Sequence, residues 1–499
     1  MPRVYKNYIG GKWVEAKSGR TFESCNPART DEIIGVFQRS SAEDVDAAVR
    51  AAQAAFPAWS ATPAPLRADI ILQTGLLLEK HKDELAELET REMGKVLEEG
   101  RGDVQEGIDM AKYIAGEGRR MFGETVPSEL RSKFAMLIRQ PIGVCGLITP
   151  WNFPVAIPTW KLFPALVAGN TVLFKPAEDT PAAASRLVEL FEQAGLPGGI
   201  LNLVTGYGPE AGAPIVEDDR VKMLSFTGSS EVGREIAATA GRSLKKVMLE
   251  LGGKNAQIVM PDANLDLALE GALWGAFGTT GQRCTATSRI ILHTDIAGEF
   301  TRRFVDMARD LKVGYGIEPG VQVGPLINGD QLERVERYVE IGKQEGAGIV
   351  LGGNRLTGGE YDRGYFFAPT VFTGVTKDMR IAQEEIFGPV VAVMPVSCFD
   401  EAIEVANSTM YGLSSAIYTQ DVNLSFRAIE ALQAGITYVN APTIGAEIQL
   451  PFGGWKATGN GHREAGTSAM KEFTEIKSVY VDYSGKLQRA QIDVETHAT

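Results

Sequence analysis

The spacing of apolar residues changes along the chain, and each change marks a different kind of element. After short β-like runs broken by turns, the region from about Ser41 to Met121 reads as helical. There SAEDVDAAVRAAQAAFPAW and KDELAELETREMGKVLEEG join acidic first turns to recurring Ala and Leu positions. From Ile142 the texture alternates. GVCGLITP, NTVLFKP, ILNLVTG and VKMLSFTG are short apolar runs that stop at Gly, Pro or Thr, with helical segments between them, which predicts a βαβ parallel sheet. A second series runs from about Asn255 to Val396. It contains NAQIVM, a Gly/Ala-rich helix with ALWGAFGTTGQ, then SRIILH and VVAVMPV; Thr409 to Asn440 continues as strand, helix and strand. KEFTEIKSVYVDY returns to β character and is too short for a domain of its own. With no internal repeat, low-complexity tract or Pro/Ser-rich linker, composition sets no domain boundary.

Length and charge narrow the picture. A chain of 499 residues exceeds one ordinary core, so two or three domains are expected. Asp and Glu (63) outnumber Lys and Arg (50), and the net charge of −13 disfavours nucleic acid or an anionic membrane as partner. The start MPRVYKNYIGGKWVE lacks the apolar core of a signal peptide, and no apolar run reaches the ~18 residues of a membrane span. The cysteines (Cys25, Cys145, Cys284, Cys398) form no C-x-x-C pair, and His81, His293, His462 and His497 are scattered. Neither a metal site nor a disulfide framework is expected, and a cytoplasmic, thiol-reducing setting is the default.

Five segments carry candidate chemistry. GYGPEAG, Gly206 to Gly212, formally fits a dinucleotide-binding G-x-G-x-x-A turn, but its Pro and the lack of a following acidic strand end favour a plain βα turn. In FTGSSEVG, Gly228 and Ser229 open a helix whose N-terminus suits a phosphate; a simple serine cap is the alternative. Cys284, in FGTTGQRCTATSR, lies among small flexible residues that leave room for thiolate chemistry, although a lone cysteine is more often a small core residue. Glu250 in MLELGGKN ends an apolar run beside two glycines, where it is a candidate base or an ion-pair partner. Asn152 in TPWNFP is a candidate oxyanion donor or a turn asparagine.

Taken together and in order, TPWNFP, WKLFPALVAGNTVLFKPAEDTP, GLPGGILNLVTG, FTGS, LELGGKN, GQRCTATSR, QEEIFGPVV and PFGGWKATGNGHREAG resemble the aldehyde dehydrogenase superfamily over nearly the whole chain. The resemblance implies an α/β fold: an atypical Rossmann-like NAD(P)-binding domain (1-120 and 142-252), an α/β catalytic domain (253-452) and a small β oligomerisation arm (121-141 and 470-485). It implies NAD, or NADP, as cofactor, an aldehyde as substrate and a homodimer or homotetramer. Cys284 matches the nucleophile, Asn152 the oxyanion donor, Glu250 the base for the deacylating water, and Lys161 with Glu464 a proton-relay pair. Lys175 and Glu178 match contacts to the adenosine ribose, Gly228 and Ser229 the pyrophosphate contact, and Glu385 a nicotinamide-ribose contact. Trp151 and Phe387 are assigned to the cofactor site, and Phe153, Trp160, Arg283 and Thr285 to the substrate site.

The implied chemistry is thiolate attack on the aldehyde, loss of hydride to the nicotinamide, and hydrolysis of a Cys284 thioester. A free thiol with a pKa of about 8.5 then needs a base or a nearby positive charge. Arg283, directly before the nucleophile, suits the far carboxylate of a semialdehyde such as 2-oxoglutarate semialdehyde, or pairs with an acid on a neighbouring segment. The competing readings are a CoA-acylating semialdehyde dehydrogenase, a thiol hydrolase without redox chemistry, and a binding or structural protein on the same scaffold. Glu250 weighs against the first, FKPAE and QEEIFGP against the second, and the full Cys284, Glu250 and Asn152 set against the third.

Overall fold

The apolar runs that stop at Gly, Pro or Thr form largely buried parallel strands in the computed structural model, which describes residues 2–493; His497 lies outside the described residues. One seven-stranded sheet has the spatial order Lys246–Glu250, Val221–Thr227, Val144–Ile148, Thr171–Lys175, Leu201–Leu203, all parallel, with Asn7–Ile9 and Lys12–Val14 as an antiparallel edge. The strand order reverses at Val144–Ile148. The next two strands in sequence lie on one side of it and Val221–Thr227 on the other, so the loops leaving these neighbours diverge. The crevice that opens there, at the carboxyl ends, is where open α/β sheets hold their ligands.

A second seven-stranded sheet has the order Gly348–Leu351, Thr370–Thr373, Val390–Val396, Thr287–His293, Asn255–Val259, Ser414–Tyr418, Ile436–Val439, parallel except for its first pair. The β-rich tail pairs far back in sequence. Thr474–Asp482 runs antiparallel to Lys133–Pro141, which also pairs with Glu124–Pro127. Lys471 and Glu472 at the start of that tail belong to a short helix instead (Ser468–Glu472), which Phe473 ends, and the strand begins at Thr474.

The helical region resolves into Ala42–Ala61, Ala64–Lys80, Lys82–Met93 and Leu97–Glu117. KDELAELETREMGKVLEEG is therefore two helices. Gly94 ends the first with a left-handed φ of 94°, and a Cβ there would come within 2.8 Å of the Pro325 side chain. Ala156–Ala168 is buried on every side, with its apolar residues in the core beneath the first sheet. Burying each large aliphatic side chain there contributes about 1.5–3 kcal/mol. The same helix carries Lys161 into that interior, where a charge must find a partner. Among the described residues, no helix is long and apolar enough to cross a membrane.

Candidate active site

The loop that presents Cys284 is held under strain by its neighbours. Thr279 and Thr280, just after helix Leu265–Phe277, have φ values of 52° and 58°, a left-handed conformation that costs a non-glycine residue about 1–2 kcal/mol. Glu99 offsets this by accepting the Thr279 N–H on both carboxylate oxygens at 2.9 Å. The Thr280 hydroxyl donates to the Gly324 carbonyl at 3.0 Å, and Gln282 Oε1 accepts the Ile327 N–H at 3.0 Å. Asn255 Nδ2 donates to the Cys284 and Ala286 carbonyls at 2.7 and 2.9 Å. The glycines of LELGGKN let the strand end pass this loop. A Cβ on Gly252 would lie 2.6 Å from the Glu385 carboxylate, and one on Gly253 2.3 Å from the Cys284 carbonyl oxygen.

Cys284, half-buried, lines two adjoining cavities. One, of about 700 Å³, is walled by Phe153, Ile157, Trp160, Thr227, Glu250, Arg283, Thr285, Phe452 and Glu464, with Glu106 also present. All four expected substrate residues (Phe153, Trp160, Arg283 and Thr285) meet there. Thr227 Oγ1, Trp160 Nε1 and Glu250 Oε2 are buried on this wall with no hydrogen-bond partner among the described residues. Three orphaned polar atoms around one sulfur suit a site that receives a polar ligand. Trp160 packs edge-on against Phe452 at 4.9 Å between ring centroids.

The other cavity, about 740 Å³, is lined by Trp151, Asn152, Gly228, Ser229, Gly252, Glu385 and Phe387. These come from the diverging loops of the strand-order reversal and from the QEEIFGP segment. Gly228 spends its N–H on the Glu250 carbonyl at 3.1 Å, and Ser229 caps helix Ser230–Arg242 by accepting the Val232 N–H at 3.3 Å. The simple cap expected as an alternative is present, and the same two residues also face the cavity. Phe387 holds a left-handed φ of 63° and packs edge-on against Trp151 at 5.3 Å. Gln331 and Arg334 line the cavity as well and were not expected from the sequence. They anchor QEEIFGP by donating to backbone carbonyls, Gln331 to Phe387 at 2.7 Å and Arg334 to Glu385 at 2.6 Å. Lys175 and Glu178 line neither cavity. They sit beyond, at the end of strand Thr171–Lys175, joined by a 2.8 Å ion pair.

Charge is arranged around the sulfur so that protons are held rather than released. Burial, then the Glu385 and Glu250 carboxylates, push the Cys284 thiol up to about 12. Burial and the neighbouring Glu464 raise the Glu250 carboxyl well above the usual range, while Lys161 pulls it down. Burial brings Glu385 up to about 7, opposed by the Gly253 N–H, which it accepts at 2.8 Å. Lys161 is ion-paired to Glu464 and donates to Ser225 Oγ at 2.8 Å. Segment 452–464 brings Glu464 there by folding back over strand Lys246–Glu250, with bridges Phe452↔Glu464 and Glu250↔Gly459. Asn152 Nδ2 spends one hydrogen on the Gln282 carbonyl at 3.1 Å, which leaves the other free for an oxyanion. Arg283 is paired with Glu99 at 2.9 Å and donates to Thr279 Oγ1 at 2.8 Å.

The second cavity fits a dinucleotide's reactive end: a helix N-terminus with a serine, an aromatic wall and a carboxylate open onto the nucleophile. Known proteins agree. Residues 13–479 match the Aldehyde dehydrogenase family. The chain is 43% identical over 478 residues to the alpha-ketoglutaric semialdehyde dehydrogenase of Bacillus subtilis, spanning 96% of this chain and 98% of that one. Identity to the alpha-ketoglutarate semialdehyde dehydrogenase of Haloferax volcanii is also 43%, over 96% and 99% of the two chains. Among solved structures, betaine aldehyde dehydrogenase from Staphylococcus aureus in complex with NAD+ superposes with a TM-score of 0.95 at 35% identity, covering 97% of this chain and 96% of that one. An NAD+ complex of aldehyde dehydrogenase from Bacillus cereus gives 0.93 at 39% identity, covering 96% and 97%. The chain belongs to the aldehyde dehydrogenase family and is an NAD(P)-dependent aldehyde oxidoreductase.

Proposed function

We propose that the chain oxidises a short acidic semialdehyde, with 2-oxoglutarate semialdehyde the leading candidate, to the dicarboxylate. The observation that carries this reading is a guanidinium, that of Arg283, on the wall of the cavity that holds Cys284, and the names of the B. subtilis and H. volcanii relatives support it. The ion pair with Glu99 fixes the guanidinium, and Arg283 Nη1 makes no hydrogen bond among the described residues, so it keeps donors for a carboxylate. Arg283→Ala is expected to cost the acidic substrate roughly tenfold to a hundredfold in kcat/KM, about 1.5–3 kcal/mol for a charge-assisted contact, chiefly through KM. Steady-state kinetics on an acidic and an uncharged aldehyde of equal length check this. Equal losses on the two would mean that Arg283 only supports the strained Thr279–Cys284 loop.

The cavity walls support the following residue roles. The aldehyde carbonyl lies between Cys284 and Asn152. Cys284 gives up its proton and adds its sulfur to the carbonyl carbon, and the spare Asn152 N–H and the Cys284 N–H hold the oxyanion; one such donor is worth about 3–4 kcal/mol. The wall of Trp151, Glu385 and Phe387 would hold a nicotinamide, which would supply a hydride acceptor, and loss of hydride from the adduct carbon leaves Cys284 carrying a thioester. Glu250 then takes a proton from water, whose oxygen adds to the thioester carbonyl and releases the acid and the thiol. Lys161 and Glu464, buried behind Glu250, provide a route for that proton.

The same reading assigns Lys175 and Glu178 to the adenosine ribose and NAD as the preferred cofactor. Glu178 is 35% exposed, so a 2′-phosphate near its carboxylate meets a partly screened like charge. Repulsion of about 1–4 kcal/mol at ~4 Å is expected to favour NAD over NADP by roughly tenfold or more in kcat/KM, and Glu178→Gln to narrow that gap. An enzyme equally efficient with both cofactors would contradict the assignment.

We assign the first sheet to the cofactor domain, the second to the catalytic domain, and the antiparallel Glu124–Pro127, Lys133–Pro141 and Thr474–Asp482 sheet to a homo-oligomerisation arm. The arm exposes Ile476 and Tyr480 on one face and Phe134 and Val481 on the other, apolar surface suited to a second copy of the chain. A cytoplasmic location fits a chemistry that needs a reduced thiol.

A further inference from the structure

Arg283 does not face the substrate cavity alone. Glu106, on helix Leu97–Glu117, lines the same wall, half-buried, and makes no hydrogen bond among the described residues. This is a costly arrangement, because an unpaired carboxylate inside a cavity that takes an anion repels its own ligand. A carboxyl group that keeps its proton removes the difficulty, since it is neutral and has an O–H to donate.

The surroundings hold the proton on. Burial and then Asp103, on the same helix, push the Glu106 carboxyl up to about 8, with Asp109 adding to the rise; Arg283 and Lys95 oppose it. Across the cavity lie Cys284, Glu250 and Glu464, all of them acids. The Tyr438 phenol, on strand Ile436–Val439, is itself raised, first by burial and then by Glu106 and Glu447. Neither cation near Glu106 hydrogen-bonds its carboxyl among the described residues: Lys95 pairs with Asp103 at 2.6 Å, and Arg283 pairs with Glu99 and keeps Nη1 for a ligand.

We propose that Glu106 and Arg283 read the far carboxylate of the substrate together, with protonated Glu106 donating its O–H to one carboxylate oxygen and the Arg283 guanidinium holding the other. This rests on the acidic-semialdehyde reading. It makes capture of the anionic substrate depend on one proton of the enzyme. The contact is present below the Glu106 pKa and is lost as pH rises through it.

The readout is the ratio of kcat/KM for 2-oxoglutarate semialdehyde to that for an uncharged aldehyde of the same length, taken from about pH 6.5 to 9.5. Titrations of Cys284 and Glu250 act on both substrates and cancel in the ratio. The ratio is expected to be high at the acid end and to fall about tenfold per pH unit above ~8, as loss of one proton requires. Glu106→Gln keeps a donor but cannot ionise, so its ratio should be flat with pH. Glu106→Leu, which lacks the donor, should show a low ratio throughout. A wild-type ratio that is high yet flat, or an unaltered decline in Glu106→Gln, overturns the role of Glu106 and leaves the acidic substrate standing. A ratio near one at every pH overturns the acidic-substrate reading and this inference with it.

Discussion

Replacing Cys284 with alanine is expected to abolish aldehyde oxidation while NAD binding stays measurable. Among the four cysteines, Cys284 alone meets both requirements of a nucleophile here, partial exposure and a place on the two cavities. Cys145 is fully buried in the first sheet, which pushes its thiol far up, and Cys25 and Cys398 are exposed but line neither cavity. With the sulfur gone, the oxyanion donor and the carboxylates have no covalent intermediate to act on. A loss on the order of 10⁴-fold or more in kcat is the normal consequence of removing such a group. Initial-rate NADH absorbance, with calorimetric titration of NAD into the variant, separates lost chemistry from lost folding. Turnover within about tenfold of wild type would end the thioester mechanism. The raised thiol adds a requirement: near neutrality almost none of it is ionised unaided, so acylation must draw on a base in the same cavity or on the charge of the bound cofactor.

The candidate nucleophile, oxyanion donor and base were expected from the order of their motifs, and the fold brings Cys284 onto one cavity with Glu250 and onto the other with Asn152. Small, flexible residues leave room around the Cys284 sulfur, and the two glycines beside Glu250 prove to lie close against Glu385 and the Cys284 carbonyl. The parallel strands were legible because buried strands are continuous apolar runs with abrupt ends. What stayed hidden depends on partners far away in sequence. Arg283 looks the same whether it faces a ligand or an acid, and only the fold reveals that it touches Glu99 while still lining the cavity. Gln331 and Arg334 act through carbonyls of residues 385–387, and a backbone acceptor leaves no mark in the sequence. Glu106 lies in the helical region, and no motif around it marks it. The GYGPEAG turn resolves to a short helical turn at Gly208–Gly212, where Glu210 is held by Arg39 at 2.8 Å.

Glu250→Gln is expected to separate the two halves of the reaction. The amide nearly preserves the shape of the side chain but cannot accept the water's proton, so acylation of Cys284 should proceed and deacylation should stall. General-base removal typically costs about 10²–10⁴-fold. The NADH trace should show a burst of about one equivalent per active site, then a very slow steady state, with the acyl adduct visible on Cys284 in the intact mass. The raised Glu250 carboxyl fixes the direction of the pH effect. Burial and Glu464 keep it protonated at low pH, so wild-type deacylation should rise as pH climbs and the carboxylate forms; in Glu250→Gln that rise should be missing. A steady state as fast as wild type, without a burst, would move the base elsewhere. Glu464, on the same cavity, is the alternative, but its carboxylate is paired with Lys161, whereas Glu250 Oε2 is buried with no hydrogen-bond partner among the described residues and is open to a water.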